Sequence, residues 1–196
     1  MSKLVHGWGI NDVDYPVKPK VNGKVQHCPF YVKWQSMLKR VHSEKYQSLH
    51  PTYSTCLVCE EWKYFSVFRA WMIEQDWEGK HLDKDLLIKG NRVYGPSTCL
   101  FLTPSLNNFI LNGAKVRGKY PIGVHYKKGY SKPYVAHCRH PFIGGKEHLG
   151  NYATPEEAHQ VWLKRKQEFA KMLGEQQSDP RVAEALIRYY DVEIFE

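Results

Sequence analysis

The sequence predicts an α+β protein: a helical N-terminal region ending in a ββα motif, then a three-stranded antiparallel sheet packed on one helix. Three observations carry this expectation. Apolar residues recur at helical spacing in two early stretches, three short alternating segments follow Tyr120, and a strongly capped helix starts at Thr154.

Residues 1–27 hold Gly7, Gly9, Pro16, Pro19 and Gly23 without a clear period, which predicts an extended arm. Pro29 suits the first turn of a helix, where a missing N–H costs nothing. Phe30, Trp34, Met37, Leu38 and Val41 follow at helical spacing, with Lys33, Lys39 and Arg40 on other faces. Pro51 ends that region. A second helix is predicted over 61–75, with Trp62, Phe65, Phe68 and Met72 apolar and Gly79 beyond its end. From Lys80 the pattern changes. His81 to Ile88 predicts a strand, Gly90-Asn91 a hairpin turn, and Arg92 to Tyr94 the returning strand. Pro104 then opens a short helix, completing strand, turn, strand and helix.

Residues 113–118 read as a linker, giving an N-terminal domain over 1–112 and a C-terminal domain over 113–196. Ile122–Tyr126, Tyr134–Arg139 and Glu147–Tyr152 are the predicted strands, with turns at Lys127-Lys128-Gly129 and Gly144-Gly145. Thr154 caps the next helix, Pro155 pre-sets its first turn, and Glu157 closes a capping box. That helix extends to about Leu173, with Ala158, Val161, Trp162, Phe169, Met172 and Leu173 as its apolar face. A last helix is predicted over 180–190.

Composition narrows the function classes. The chain is 42% hydrophobic and 14% aromatic, enough for a core and contrary to disorder. A formal charge of +8 calls for an acidic partner, either nucleic acid or an anionic surface. No apolar run approaches the roughly 18 residues of a membrane span, and no apolar stretch follows Met1, so a soluble cytoplasmic protein without a membrane partner is expected. The five cysteines are odd in number, which predicts free thiols. Cys56-x-x-Cys59 has half the ligands of a zinc site. Cys28, Cys99, His27 or His42 could complete it, but no second pair has the spacing, so structural zinc is not expected.

The charge is unevenly placed. From Lys115 to Gly150 the basic residues have Glu147 as their only acid, whereas Glu60 to Asp85 is rich in acids. A sheet packed on one helix keeps its other face free. The candidate DNA-binding residues there are Arg117, Lys119, His125, Tyr126, Lys127, Lys128, Tyr130, Lys132, Tyr134, Arg139 and Lys146. Lys and Arg neutralise phosphates and release counterions. Tyrosine hydroxyls bond phosphate, and Arg reads guanine edges.

Pro121-Ile-Gly-Val124, Tyr134-Val-Ala136 and Leu149-Gly-Asn-Tyr-Ala-Thr-Pro-Glu-Glu-Ala158 resemble the plant ethylene-response-factor type of DNA-binding domain, which also has phage members. The resemblance implies a three-stranded sheet on the major groove of double-stranded DNA, contacted by strand-borne Arg and aromatic residues. This chain departs from the plant pattern: the sheet has no Trp and Arg139 is its only Arg.

A second resemblance covers Trp34 to Asn112. Cys59-Glu-Glu-Trp62 with Phe65, Phe68 and Trp71, then Leu82-Asp-Lys-Asp85, Gly90-Asn91 and Asn107-Asn108, are similar to phage HNH-type endonucleases. It implies phosphodiester hydrolysis with Mg²⁺ or another divalent cation, which stabilises charge while a base activates water. Asp83, Asp85, Asn107 and Asn108 are the candidate metal ligands. Asp83 and Asp85 are also candidate catalytic residues. The family's usual histidine, at the end of the first strand, is replaced here by Lys84 and Asp85. His81 shares a strand face with Asp83 and is the candidate substitute. The motif is therefore degenerate. Two expectations follow: an HNH-like, homing-type endonuclease, or a catalytically inactive DNA-binding or host-interaction protein on the same scaffold.

Overall fold

Large aromatic side chains organise the first half of the chain. Helix α1 (Pro29–His42) turns Tyr31, Trp34, Met37, Leu38 and Val41 inward. Helix α2 (Glu44–Leu49) follows, its start capped by Ser43. The helix expected over 61–75 is divided. A 3-10 turn covers Glu60–Lys63, and helix α3 spans Phe65–Ile73. The break has a cause in the N-terminal segment. Ile10 N–H takes the Lys63 carbonyl (2.8 Å), and the Ile10 carbonyl takes Phe65 N–H (3.0 Å). Asp12 Oδ1 then accepts from Ser66 N (2.9 Å), capping α3. A tertiary strand-like contact thus consumes the groups that a continuous helix needs.

Residues 4–27 are accordingly no free arm. Val5, Trp8, Val13 and Val17 pack on the aromatic core. Gly9 passes so close to α1 that a Cβ there would lie 2.3 Å from Leu38 Cδ1 and 2.7 Å from Trp34 Cζ2. Strands β1 (Lys20–Val21) and β2 (Lys24–Val25) form a small hairpin around Asn22-Gly23, both at positive φ.

The expected hairpin of residues 81–94 is not formed. Strand β3 (Leu57–Val58) pairs in parallel with β5 (Val93–Tyr94), and β4 (His81–Asp83) pairs antiparallel with β6 (Leu100–Leu102). Strand β4 stops at Asp83 because Asp83 Oδ1 accepts from the amides of Asp85 (2.9 Å) and Leu86 (2.8 Å), turning the chain.

A computed structural model describes residues 4–110 and 119–190. The chain divides into two compact units, 1–104 and 105–196; the linker expected at 113–118 lies outside the described residues. Helix α4 (Pro104–Ile110) starts at the division, and all but its first residue belong to the second unit. Strands β7 (Val124–Tyr126), β8 (Tyr134–Arg139) and β9 (Lys146–Tyr152) form an antiparallel sheet in that order. Helix α5 (Pro155–Glu175) packs on the sheet through a small core centred on Val124, Ala136 and Ala158. Its start follows the predicted box: Thr154 Oγ1 accepts from Glu157 N (3.2 Å) and Glu157 Oε2 from Ala153 N (3.1 Å). Helix α6 (Pro180–Tyr189) returns along α5, crossing tightly at Gly174. The fold is α+β, with a three-stranded sheet on one helix. No helix among the described residues is long and apolar enough to cross a membrane.

Candidate nucleic-acid interface

Strand alternation gives the sheet two chemically different faces. Alternation puts Val124, Tyr126, Tyr134, Ala136 and Cys138 on the face that packs on α5, with Tyr126 at its exposed edge. Tyr126, Tyr134 and Tyr152 stand in one cross-strand row, with Tyr126 and Tyr134 rings 5.4 Å apart and Tyr120 stacked on Tyr126 at 5.9 Å. Tyr126 and Tyr134, both DNA-contact candidates, therefore belong to the helix-side layer.

The opposite face carries His125, His137, Arg139, Lys146, His148 and Asn151. The three histidines cross the sheet in a line, one per strand. Their ring centroids are 5.5 Å apart for His125–His137 and 5.3 Å for His137–His148. His148 Nε2 bonds Asn151 Oδ1 at 2.9 Å. Burial holds the His137 imidazole below its ordinary pKa, and His125, His148 and Lys146 add to the effect by charge repulsion. Its Nδ1 is buried without a hydrogen-bond partner among the described residues.

A bulge sets this arrangement. Ala136 faces Gly150 while His137 faces His148, so Leu149 is an extra residue in β9. Strict alternation from Tyr152 would turn Glu147 to the free face and Lys146 and His148 to the helix. The extra residue inverts that. Glu147 instead meets α5, where Arg165 grips it with Nε–Oε2 at 2.9 Å and Nη2–Oε1 at 3.0 Å. The only acid of the basic region is thereby withdrawn, and among the described residues the free face has no carboxylate.

Two loops extend the surface. Between β7 and β8, Lys127, Lys128, Tyr130 and Lys132 are exposed, and Lys127 Nζ sits 4.4 Å from the Tyr130 ring centroid. Between β8 and β9, His140 Nδ1 accepts from the amides of Phe142 (3.3 Å) and Ile143 (3.4 Å), and both of those side chains are exposed. Lys119 is exposed; Arg117 lies outside the described residues. Sequence reasoning missed His137, His148 and Asn151. His137 was signalled by its two-residue spacing from Arg139; His148 was hidden by the bulge.

The candidate nuclease residues lie elsewhere. His81 is exposed on β4. Asp83 is buried, and burial raises its carboxyl pKa against the opposing pull of the Leu86 and Asp85 amides. Lys84 Nζ is bound to Asp85 Oδ1 (2.6 Å) and to the Asn91 carbonyl (2.8 Å). Asn91 returns bonds to the carbonyls of Lys84 (2.8 Å) and Val93 (2.7 Å). Asp83, Lys84, Asp85 and Asn91 thus lock the loop between β4 and β5. Asn107 and Asn108 are on α4, in the second unit. Among the described residues no group of three or more His, Cys, Asp or Glu side chains is placed to hold a metal. One Asp83 oxygen is thus taken by two amides, and one Asp85 oxygen is paired to a buried ammonium. All five cysteines are unbridged. Burial pushes the Cys59 thiol up to about 11 and Cys99 up to about 12, so both are neutral at pH 7.

Comparison with family models, with curated proteins and with solved structures finds no match to this chain.

Proposed function

We propose that the second unit docks on double-stranded DNA through the face of its sheet that turns away from α5. The observation that carries this reading is the segregation of charge: Arg139, Lys146 and three histidines on one face, with Glu147 drawn to the other by Arg165. A polyanion is the partner such a face attracts, and the loop lysines Lys127, Lys128 and Lys132 widen the attraction. Arg139 is the one side chain there suited to bidentate contact with guanine, and Asn151 is suited to adenine but is bonded to His148. Docking therefore rests on phosphate contacts more than on base reading. The unbridged cysteines fit a reducing compartment such as the cytoplasm.

The test is binding of a labelled duplex followed by fluorescence anisotropy, with Arg139→Ala/Lys146→Ala as the comparison. Affinity that is absent, or equal in the variant, overturns the reading. The HNH-like resemblance of residues 82–108 adds a hydrolytic reading, to which we assign no step, because its donors serve the loop. Duplex cleavage with Mg²⁺ or Mn²⁺ that disappears in Asp83→Asn would restore it.

A further inference from the structure

The second unit contains a cavity of about 580 Å³ lined by residues of α4, β8, the β8–β9 turn and α5. That volume lies within the range of small-molecule sites, roughly 300–1,000 Å³. Its lining is chemically divided. Leu106, Phe109 and Leu173 supply apolar surface, and Arg139, His140 and Lys166 supply basic groups. None of the described lining residues is Asp or Glu.

Lys166 is the unusual member. Its side chain is 7% exposed, its ammonium donates to the Phe109 carbonyl at 2.7 Å, and it stands 3.3 Å from the Phe109 ring centroid and 4.8 Å from that of Tyr190. Capping the end of α4 explains one of its three donors. The rings offset part of the desolvation. Among the described residues neither these contacts nor any ion pair supplies a counter-ion, and a buried charge without one is costly. Burial holds its pKa down to about 8, which leaves it mainly protonated at pH 7. A helix cap also gives no reason for Arg139 and His140 to converge on the same cavity.

We propose that this cavity binds a small organic anion with an apolar body, its carboxylate or phosphate paired with Lys166 and Arg139. The apolar end would lie against Leu106, Phe109 and Leu173. This site goes beyond DNA docking and shares only Arg139 with it.

The test uses the full chain without DNA. Phenylacetate and phenyl phosphate are titrated by calorimetry and by amide chemical shifts, with benzyl alcohol as the neutral control. Both anions are expected to bind with shifts centred on Leu106, Phe109 and Gly144. Benzyl alcohol should bind at least tenfold more weakly, and Arg139→Gln and Lys166→Met should each weaken the anions at least tenfold. Should Lys166→Met fail to fold, the position of the shifts decides, because Arg139 also stands on the docking face. Absence of anion binding at millimolar concentration, equal binding of the alcohol, or shifts confined to Lys127 and Lys128 would overturn the proposal. Because no DNA is present, that failure leaves the docking reading intact, and the reverse also holds.

Discussion

Salt dependence gives the sharpest test of which surface meets DNA. Arg139 and Lys146 on the free sheet face, Lys127, Lys128 and Lys132 in the β7–β8 loop, and Lys119 before the sheet are exposed cations of this unit. If all six neutralise phosphates, the logarithm of affinity falls with the logarithm of salt at about −0.9 per contact, a slope near −5. Between 50 and 200 mM salt the duplex affinity should then drop about 1,800-fold. Arg139→Ala/Lys146→Ala removes two contacts, so the slope should shrink by about 1.8 and the drop to about 150-fold. Lys164→Ala/Lys171→Ala removes the same charge from exposed positions on α5 and should leave the slope unchanged. Fluorescence anisotropy across a salt series reads all three proteins. If the α5 variant loses as much slope as the sheet variant, the attraction comes from total charge and the face assignment is wrong.

Three further outcomes are expected. The histidine line makes docking pH-dependent: phosphate beside His137 favours the imidazolium that burial, His125, His148 and Lys146 disfavour in the free protein, so affinity should rise several-fold as pH falls from 8 to 6. His137→Gln/His148→Gln should flatten that profile, and a flat wild-type profile would exclude a role for the line. Glu147→Gln should cost about 1 kcal/mol in urea denaturation through its partly exposed pair with Arg165, yet change DNA affinity less than twofold; clear tightening would mean that Glu147 faces the ligand. For Asp83 the folded pKa is raised, so its stabilising contribution is full below the unfolded value of 3.8 and is lost as pH rises through the folded value. Asp83→Asn should therefore be at least as stable as the wild type at pH 7, while Asp83→Ala, which strands two amides, should lose about 2–3 kcal/mol. An Asn variant as unstable as the Ala variant would refute the loop-locking role.

Local signals in the sequence were legible where one segment decides its own structure. Pro29, Thr154, Pro155 and Glu157 set helix starts by bonds within a few residues, and α1, α5 and the three strands of the sheet follow the pattern. The misses arise where a distant segment intervenes. Ile10 interrupts the helix expected over 61–75, and Leu57–Val58 takes the strand that would have closed the 81–94 hairpin. Neither partner is visible from the residues it captures. The candidate interface divided along the same line. His125, Arg139 and Lys146 were readable from charge and alternation. Tyr126 and Tyr134 have the right chemistry but stand on the helix side, which composition does not encode.

The bulge at Leu149 makes surface polarity a property of strand register. Deleting that one residue would only regularise the ladder, leaving Glu147 towards the helix and Lys146 and His148 outward. Drawing Leu149 into the ladder opposite His137 would instead turn Glu147 outward and set Lys146 and His148 against the Arg165 that now holds the acid, with the formal charge still +8. A one-residue slip of register here would thus act as a double charge swap, without any amino acid being replaced. Homologues of this sheet are therefore better compared by the register of this strand than by their count of basic residues.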